Sequence, residues 1–231
     1  SRRERRPGVV ERVGAPGSRR RRPPPRRRLG MVVHDGEVPP PLLFFTAVVC
    51  TSVMANFTLL VPVSTYYSAT LLESGVIVSS YAGGALVSLY FWSTYDRYSV
   101  RPAYVAQAAI MCGGNALFAA VCLADLDAST TFYGLLAARF VVGLEAGAMY
   151  NANLALVGYS AAEHRVRYLA MYQSFVGVGL VLGPAISSSC LAVAEALGSA
   201  ALEESLSAVV MAAWGACVLA AVVARLPDDA A

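Results

Sequence analysis

Arg139 and Glu145 are charged residues inside one long apolar stretch, 132–158. A charge in apolar surroundings is costly unless a partner or a polar cavity compensates for it. Glu145 is rotated about 120° from Arg139 at helical spacing, so the two are not expected to pair on one helix surface. They serve either a functional cavity or a neighbouring helix that they hold in place. Three further residues lie within about 40° of the line through Arg139: Gly143, Tyr150 and Asn153.

Glycines in a second apolar stretch predict close helix packing. Gly179 and Gly183 are four residues apart, and Pro184 follows directly. Such a pair lets a neighbouring backbone approach closely, and the proline permits a bend. We assign the same packing role to Gly143 and Gly147.

Asp96, Arg97 and Arg101 lie in a polar break, 92–102, between two apolar stretches. An aspartate at a helix end can accept hydrogen bonds from backbone amides, and arginines nearby can pair with charges on a moving neighbour. We therefore predict a gating role for this loop.

The remaining polar residues give no pattern typical of an enzyme. The five cysteines all fall inside apolar stretches, and His34 and His164 are isolated, so the sequence holds no metal-ligand spacing. It also lacks a nucleophile–base pair and a phosphate-binding loop. We expect no enzymatic activity, no cofactor and no metal.

The apolar stretches are long enough to position these residues within a membrane. The chain of 231 residues is 57% hydrophobic and only 14% charged, where a soluble protein has about a quarter. Each stretch has roughly the 20 residues that cross a bilayer, and helices pair all backbone groups within themselves. We predict an all-α polytopic membrane protein with six transmembrane helices, at 42–64, 74–95, 103–124, 132–158, 168–194 and 206–224.

The charges between the predicted spans indicate an orientation. Arginines occur on one side only, after spans two, four and six: Arg97, Arg101, Arg165, Arg167 and Arg225. Acids occupy the other breaks: Glu73, Asp125, Asp127, Glu195, Glu203 and Glu204. By the positive-inside rule, both termini are expected to be cytoplasmic.

The first 41 residues differ from the rest in composition. They contain eight of the 12 prolines, and 12 arginines against two acids within residues 1–28. So few apolar residues cannot offset chain entropy, which predicts a disordered cytoplasmic leader. Three interpretations of this leader are open. It contacts anionic lipid headgroups, or it acts as a nuclear-type basic patch. Alternatively, Met31 is the natural start and the residues before it are translated in error. Residues 227–231 form a short cytoplasmic tail.

Together these motifs resemble the N-terminal half of a major facilitator superfamily transporter. The family's loop GxxxDRxGRR matches at Asp96, Arg97 and Arg101, but Trp92, Ser99 and Val100 replace its two glycines and first closing basic residue. These changes weaken the inference of ordinary gating at this loop.

Two further signatures of the family are also partly kept. RxxxGxG matches at Arg139 and Gly143, with Glu145 in place of the second glycine, and the Gly-Pro signature matches at Gly179, Gly183 and Pro184. Ser187-Ser188 replaces a glycine pair that the family has soon after. Residues 80–102 and Glu163-His164-Arg165 also resemble the lysosomal and vacuolar branches, which include the SPX-linked phosphate carriers.

The resemblance implies a three-plus-three inverted repeat in which spans one and four line a central cavity. Transporters of this kind bind a small solute near the midplane and alternate access to it. Candidates to face the cavity are Asn56, Ser52, Arg139, Tyr150, Asn153 and Gln173. Coupling to protons needs a carboxylate that loses its charge when buried, so Glu145, with Arg139, is the coupling candidate.

A complete transporter of the family has twelve spans, whereas six are predicted here. The sequence is then a fragment, a half-sized protein that forms a homodimer, or a remnant that transports nothing. A half alone would expose Arg139 and Asn56 to lipid, so we expect a missing C-terminal half or a second copy as partner, besides lipid and a small-molecule substrate. No nucleic acid is expected. The alternative function is a membrane scaffold or sensor, and the plasma membrane and the vacuolar or lysosomal membrane are both open.

Overall fold

The computed structural model of the protein describes residues 37–59, 71–94, 100–124 and 126–226. Residues 1–36 of the predicted leader, the tail 227–231, and the loop residues Asp96 and Arg97 lie outside the described residues. The described part is all-α. It comprises α1 (Pro40–Leu59), α2 (Leu71–Thr94), α3 (Val100–Leu123), α4 (Ala128–Gly143), a 3₁₀ turn (Leu144–Ala146), α5 (Gly147–Tyr159), α6 (Arg165–Leu197) and α7 (Ala200–Arg225).

Five of these helices, α1, α2, α3, α6 and α7, are long and apolar enough to cross a membrane, by length and composition. They coincide with predicted spans one, two, three, five and six to within three residues at the ends that the structure describes, except that α7 begins six residues before its predicted span. The predicted count of six spans stays a prediction, because two shorter helices and a 3₁₀ turn occupy the fourth predicted span.

The fourth predicted span is divided. The expectation of one uninterrupted helix over 132–158 is wrong, because the 3₁₀ turn separates α4 from α5. The backbone remains right-handed helical at Gly143, Leu144, Ala146 and Gly147, so the path continues with tighter winding. The Ser88 hydroxyl on α2 donates a hydrogen bond to the Leu144 carbonyl, which gives this turn a donor from outside its own helix.

The helices pack mainly in pairs: α1 with α6, α3 with α7, and α2 with α4. Glycines, which have no side chain, allow these approaches. A Cβ on Gly143 would overlap the Tyr81 carbonyl oxygen of α2, and one on Gly179 would lie 2.6 Å from Cβ of Met54 on α1. A Cβ on Gly215 of α7 would lie 2.8 Å from the backbone nitrogen of Cys112 on α3. The backbones of the paired helices therefore approach each other closely.

Pro184 lies inside α6 without ending it. Proline has no N–H, so the carbonyl of Leu180 loses its usual helical donor. The Thr58 hydroxyl of α1 lies 3.4 Å from that oxygen. Gly183 makes this contact possible, because a Cβ there would overlap the same hydroxyl. The proline is thus accommodated by the neighbouring helix.

Side chains and a glycine define several helix ends. The Asp127 carboxylate accepts hydrogen bonds from the hydroxyl and the backbone N–H of Thr130, at 2.6 and 3.1 Å, and so caps the start of α4. The Thr130 hydroxyl, with backbone N–H groups, holds the pKa of Asp127 below its ordinary value. Gly198 ends α6 with a φ of 66°, a left-handed conformation that favours glycine.

Candidate functional site

Asn56 connects α1 to the 3₁₀ turn in the fourth region. Its Nδ2 donates a hydrogen bond of 2.7 Å to Oε1 of Glu145, and both side chains are fully buried. The tighter winding of the turn places Glu145 against α1. Two residues that are 89 positions apart thus meet within the bundle.

Arg139 reaches α1 from α4, one turn before the break. Its two terminal nitrogens each donate a hydrogen bond of 3.2 Å, to the carbonyl oxygens of Asn56 and Phe57. The structure describes α1 as far as Leu59, so these carbonyls lie in its last described turn. Arg139 therefore joins α4 to α1.

Tyr81 of α2 completes the surroundings of Arg139. The guanidinium carbon of Arg139 lies 5.0 Å from the centre of the Tyr81 ring, a cation–π contact. The Tyr81 hydroxyl donates a hydrogen bond of 3.3 Å to the Val53 carbonyl of α1. The sequence did not single out Tyr81, and its position one turn before Gly84 is the signal that could have found it.

Arg139 and Glu145 do not meet directly. Within the described residues no ion pair joins them, and each instead contacts Asn56 on α1. Three buried polar atoms of this group have no hydrogen-bond partner in the described part of the chain: Asn56 Oδ1, Arg139 Nε and Glu145 Oε2. We call Asn56, Tyr81, Arg139 and Glu145 the polar cluster.

The polar cluster combines an acid, a cation and an amide without contact to the surface. Such a group can hold or release a proton on the carboxyl oxygen that lacks a partner, and the fixed positive charge beside it influences that step. Partly satisfied polar networks in low-dielectric surroundings respond strongly to a change in one member. The arrangement therefore suits proton exchange better than direct contact with a solute.

The expected exposure of Arg139 and Asn56 to lipid is wrong. Both side chains are 0% exposed, because α1, α2 and α4 close around them and the carbonyls of α1 satisfy the guanidinium. In the described bundle they do not line an open cavity wall. Burial by neighbouring helices, which a single helix pattern cannot reveal, explains the difference.

Ser52 lies one turn from Asn56 but faces α7. Its hydroxyl donates to the Val48 carbonyl at 2.7 Å and accepts a hydrogen bond of 2.8 Å from the Trp214 indole. Both residues line a cavity of about 430 Å³ between α1, α6 and α7, whose other walls are mainly aliphatic. Thr51, also in the lining, donates to the Phe175 carbonyl. This cavity suits an apolar occupant.

The other predicted residues are spread over the bundle. Tyr150 and Asn153 on α5 are half-buried, and Gln173 on α6 is exposed. Arg101 of the predicted gating loop donates a hydrogen bond of 2.8 Å to the Val223 carbonyl, near the end of α7. Asp96 and Arg97 lie outside the described residues, so their predicted role stays a prediction.

The packing glycines meet neighbouring helices. A Cβ on Gly147 would overlap the Ser88 hydroxyl and the Trp92 ring of α2, and one on Gly183 would overlap Thr58 and Ala55 of α1. Pro184 itself is exposed. The approaches at Gly143 and Gly147 help to position the polar cluster, because they bring α2 against the α4–α5 region that carries Arg139 and Glu145, whereas Gly183 brings α6 against α1.

A family model agrees with the motifs and the fold. The model of the Major Facilitator Superfamily matches residues 42–231, which include every described helix from the first turn of α1 onward. No curated protein and no solved structure matches the chain. Proteins of this family are membrane transporters, and the apolar helices agree with an integral, multi-pass membrane protein in contact with lipid. The chain belongs to the major facilitator superfamily.

Proposed function

We propose that the chain forms one half of a secondary active transporter that moves a small solute by alternating access, with Glu145 as the proton carrier. The observation that carries this proposal is the position of Glu145. It is fully buried, it lies at the break between α4 and α5, and it is bonded to α1. A stretch of 3₁₀ winding within a helix often marks a functional hinge.

A second half completes the transporter in this proposal, either as a C-terminal half of the natural protein or as a second copy of the chain. The unequal burial of the helices supports it. Of the 18-residue apolar segment in each helix, only 17% is buried in α6 and 22% in α2, against 56% in α1. A helix that leaves most of its surface uncovered has room for a further helical partner. The loop arginines support cytoplasmic termini.

The experiment uses the chain reconstituted in vesicles, alone and with a co-expressed second half, across a range of pH gradients. Radiolabelled sugars, amino acids, organic anions and inorganic phosphate serve as the panel of solutes. We expect uptake of at least one solute to depend on the gradient and Glu145→Gln to abolish that dependence. Exposed Glu163 provides the control, because Glu163→Gln makes the same change outside the cluster. Unchanged pH dependence in Glu145→Gln would contradict proton coupling at this residue.

A membrane scaffold that keeps the fold is the second candidate. The observation in its favour is the bonding of Arg139 to α1, since Arg139 uses both terminal nitrogens on backbone carbonyls and none on an open cavity. A scaffold predicts no uptake of any solute in the panel, with or without a second half, from a stably folded protein. Uptake in either arrangement decides for the transporter.

A further inference from the structure

We propose that Asn56 senses the protonation state of Glu145, and that in the observed packing the two side chains form a reciprocal pair of an amide and a neutral carboxylic acid. The inference rests on the proposed role of Glu145 as proton carrier. It adds the residue that detects the proton and the conformation in which the proton is bound.

The donors and acceptors of the two groups support this pairing. One bond is present, from Nδ2 of Asn56 to Oε1 of Glu145 at 2.7 Å. The other atom of each group, Oδ1 of Asn56 and Oε2 of Glu145, is buried and has no partner among the described residues. Each group is planar, with its two polar atoms on one carbon, so a second bond between Oε2 and Oδ1 closes when the two planes align.

A proton on Oε2 satisfies both of these atoms at once. A protonated carboxyl group has an O–H that donates to Oδ1 of Asn56, whereas an ionised carboxylate only accepts. In the ionised form two acceptors would face each other in a buried site, which costs the desolvation of both. The neutral acid and the amide are complementary, so the observed packing fits the proton-bound form.

None of the titratable groups around the Glu145 carboxyl bonds to its Oε2, so this oxygen is available to the proton. Arg139 on α4 donates its terminal nitrogens to α1, and the Tyr81 hydroxyl on α2 donates to Val53. Arg139 is the charged group that acts on Glu145 in the described part of the chain, and Tyr81 is the ionisable hydroxyl of the same cluster. On α1 the facing group is the uncharged amide of Asn56. None of these groups donates to Oε2.

Release of the proton changes the contacts of the cluster in a defined way. The O–H bond of Glu145 breaks, the electron pair stays on the carboxylate, and the proton leaves to water. The hydrogen bond to Asn56 Oδ1 is lost. The N–H at Nε of Arg139 has no partner among the described residues and is the donor of the cluster that can turn to the new negative charge. In this proposal, deprotonation draws the Arg139 side chain towards the carboxylate.

Infrared spectroscopy of the full chain in vesicles tests the pair, with the proton itself as the ligand. The carbonyl-stretch band of Glu145 is assigned as the difference between the wild type and Glu145→Gln. At a pH where the fold is intact, we expect a protonated-acid band that is hydrogen-bonded on both oxygens. Asn56→Leu should shift this band towards the position of a free acid.

An exchange of the two groups provides the matched variant. Asn56→Asp combined with Glu145→Gln keeps both shapes and places the acid on α1 and the amide on the 3₁₀ turn. We expect the double variant to regain the doubly hydrogen-bonded acid band that Glu145→Gln lacks, and to regain pH-dependent uptake. A purely structural role of Asn56 predicts no such recovery.

The outcomes separate the two proposals. If Glu145→Gln abolishes pH-dependent uptake but the wild type shows only an ionised carboxylate, or a band that Asn56→Leu leaves in place, the paired state is wrong and the proposed function stands. A folded double variant without the acid band also refutes the pair. If Glu145→Gln keeps pH-dependent uptake, the proposed function itself fails.

Discussion

Two glycines on α6 should respond with opposite signs to the same substitution. Gly183 faces α1, where a Cβ would overlap the Thr58 hydroxyl and the Ala55 carbonyl oxygen. Gly177, six residues earlier on the same helix, has nothing within 4 Å of a Cβ. Replacing each with alanine therefore compares crowding and open space on one helix.

The structure sets the expected size of each effect. Because the backbone of Ala55 cannot rotate away, Gly183→Ala must move α6 from α1, and such overpacking typically costs about 1–3 kcal/mol. Gly177→Ala meets no atom and gains the better helix propensity of alanine, roughly 0.5–1 kcal/mol. The free energies of unfolding should differ by roughly 1.5–4 kcal/mol, which is at least about a tenfold change in the folded-to-unfolded ratio.

Unfolding in mixed micelles with increasing denaturing detergent, followed by circular dichroism, measures this difference. We expect the midpoint to fall for Gly183→Ala and to rise for Gly177→Ala relative to the wild type. Equal midpoints for the two variants would refute the assignment of Gly183 as the contact point between α1 and α6. A further variant, Thr58→Ala with Gly183→Ala, should recover part of the loss, because it removes the overlapping hydroxyl.

Two further predictions concern charged groups. Arg139→Met should lower the unfolding free energy by roughly 3–6 kcal/mol, because it removes two buried hydrogen bonds from a charged donor to the Asn56 and Phe57 carbonyls, each worth about 1.5–3 kcal/mol. Arg167→Met, at an exposed position, should change it by less than about 0.5 kcal/mol in the same assay. Asp127 has a lowered pKa in the fold, so its stabilising effect should be present above the ordinary aspartate pKa of about 3.9 and be lost as the pH falls through the lowered value. Asp127→Asn should therefore flatten the acid limb of the stability–pH curve, and an unchanged limb would contradict the capping role.

The all-α fold and most of the helix positions follow from the sequence because membrane helices satisfy their backbone internally. The apolar pattern alone then locates α1, α2, α3, α6 and α7 within a few residues. The break at Leu144–Ala146 does not follow from it. Its residues are compatible with a regular helix, and the hydroxyl that contacts the turn comes from Ser88, 56 positions away.

The sequence also proposed Arg139, Glu145 and Asn56 as site candidates, with Arg139 and Asn56 facing a cavity; the structure brings the three together away from the surface. Helical arithmetic gives the direction of a side chain relative to its own helix and not to its neighbours. Whether Arg139 faces a cavity or another helix depends on how closely α1 approaches. Ser52 illustrates the same limit, since it shares the face of Asn56 and yet contacts Trp214 of α7.

Arginine has one role at two places in this bundle, which bears on how the molecule can move. Arg139 donates to the Asn56 and Phe57 carbonyls of α1, and Arg101 donates to the Val223 carbonyl near the end of α7. Each side chain therefore joins one helix to another. Arg139 also shares the polar cluster with Glu145, and both contact Asn56 of α1. If Glu145 is the proton carrier as proposed, movement of α1 against α4 requires Arg139 to change acceptors, and the proton on Glu145 determines whether the second acceptor carries a charge.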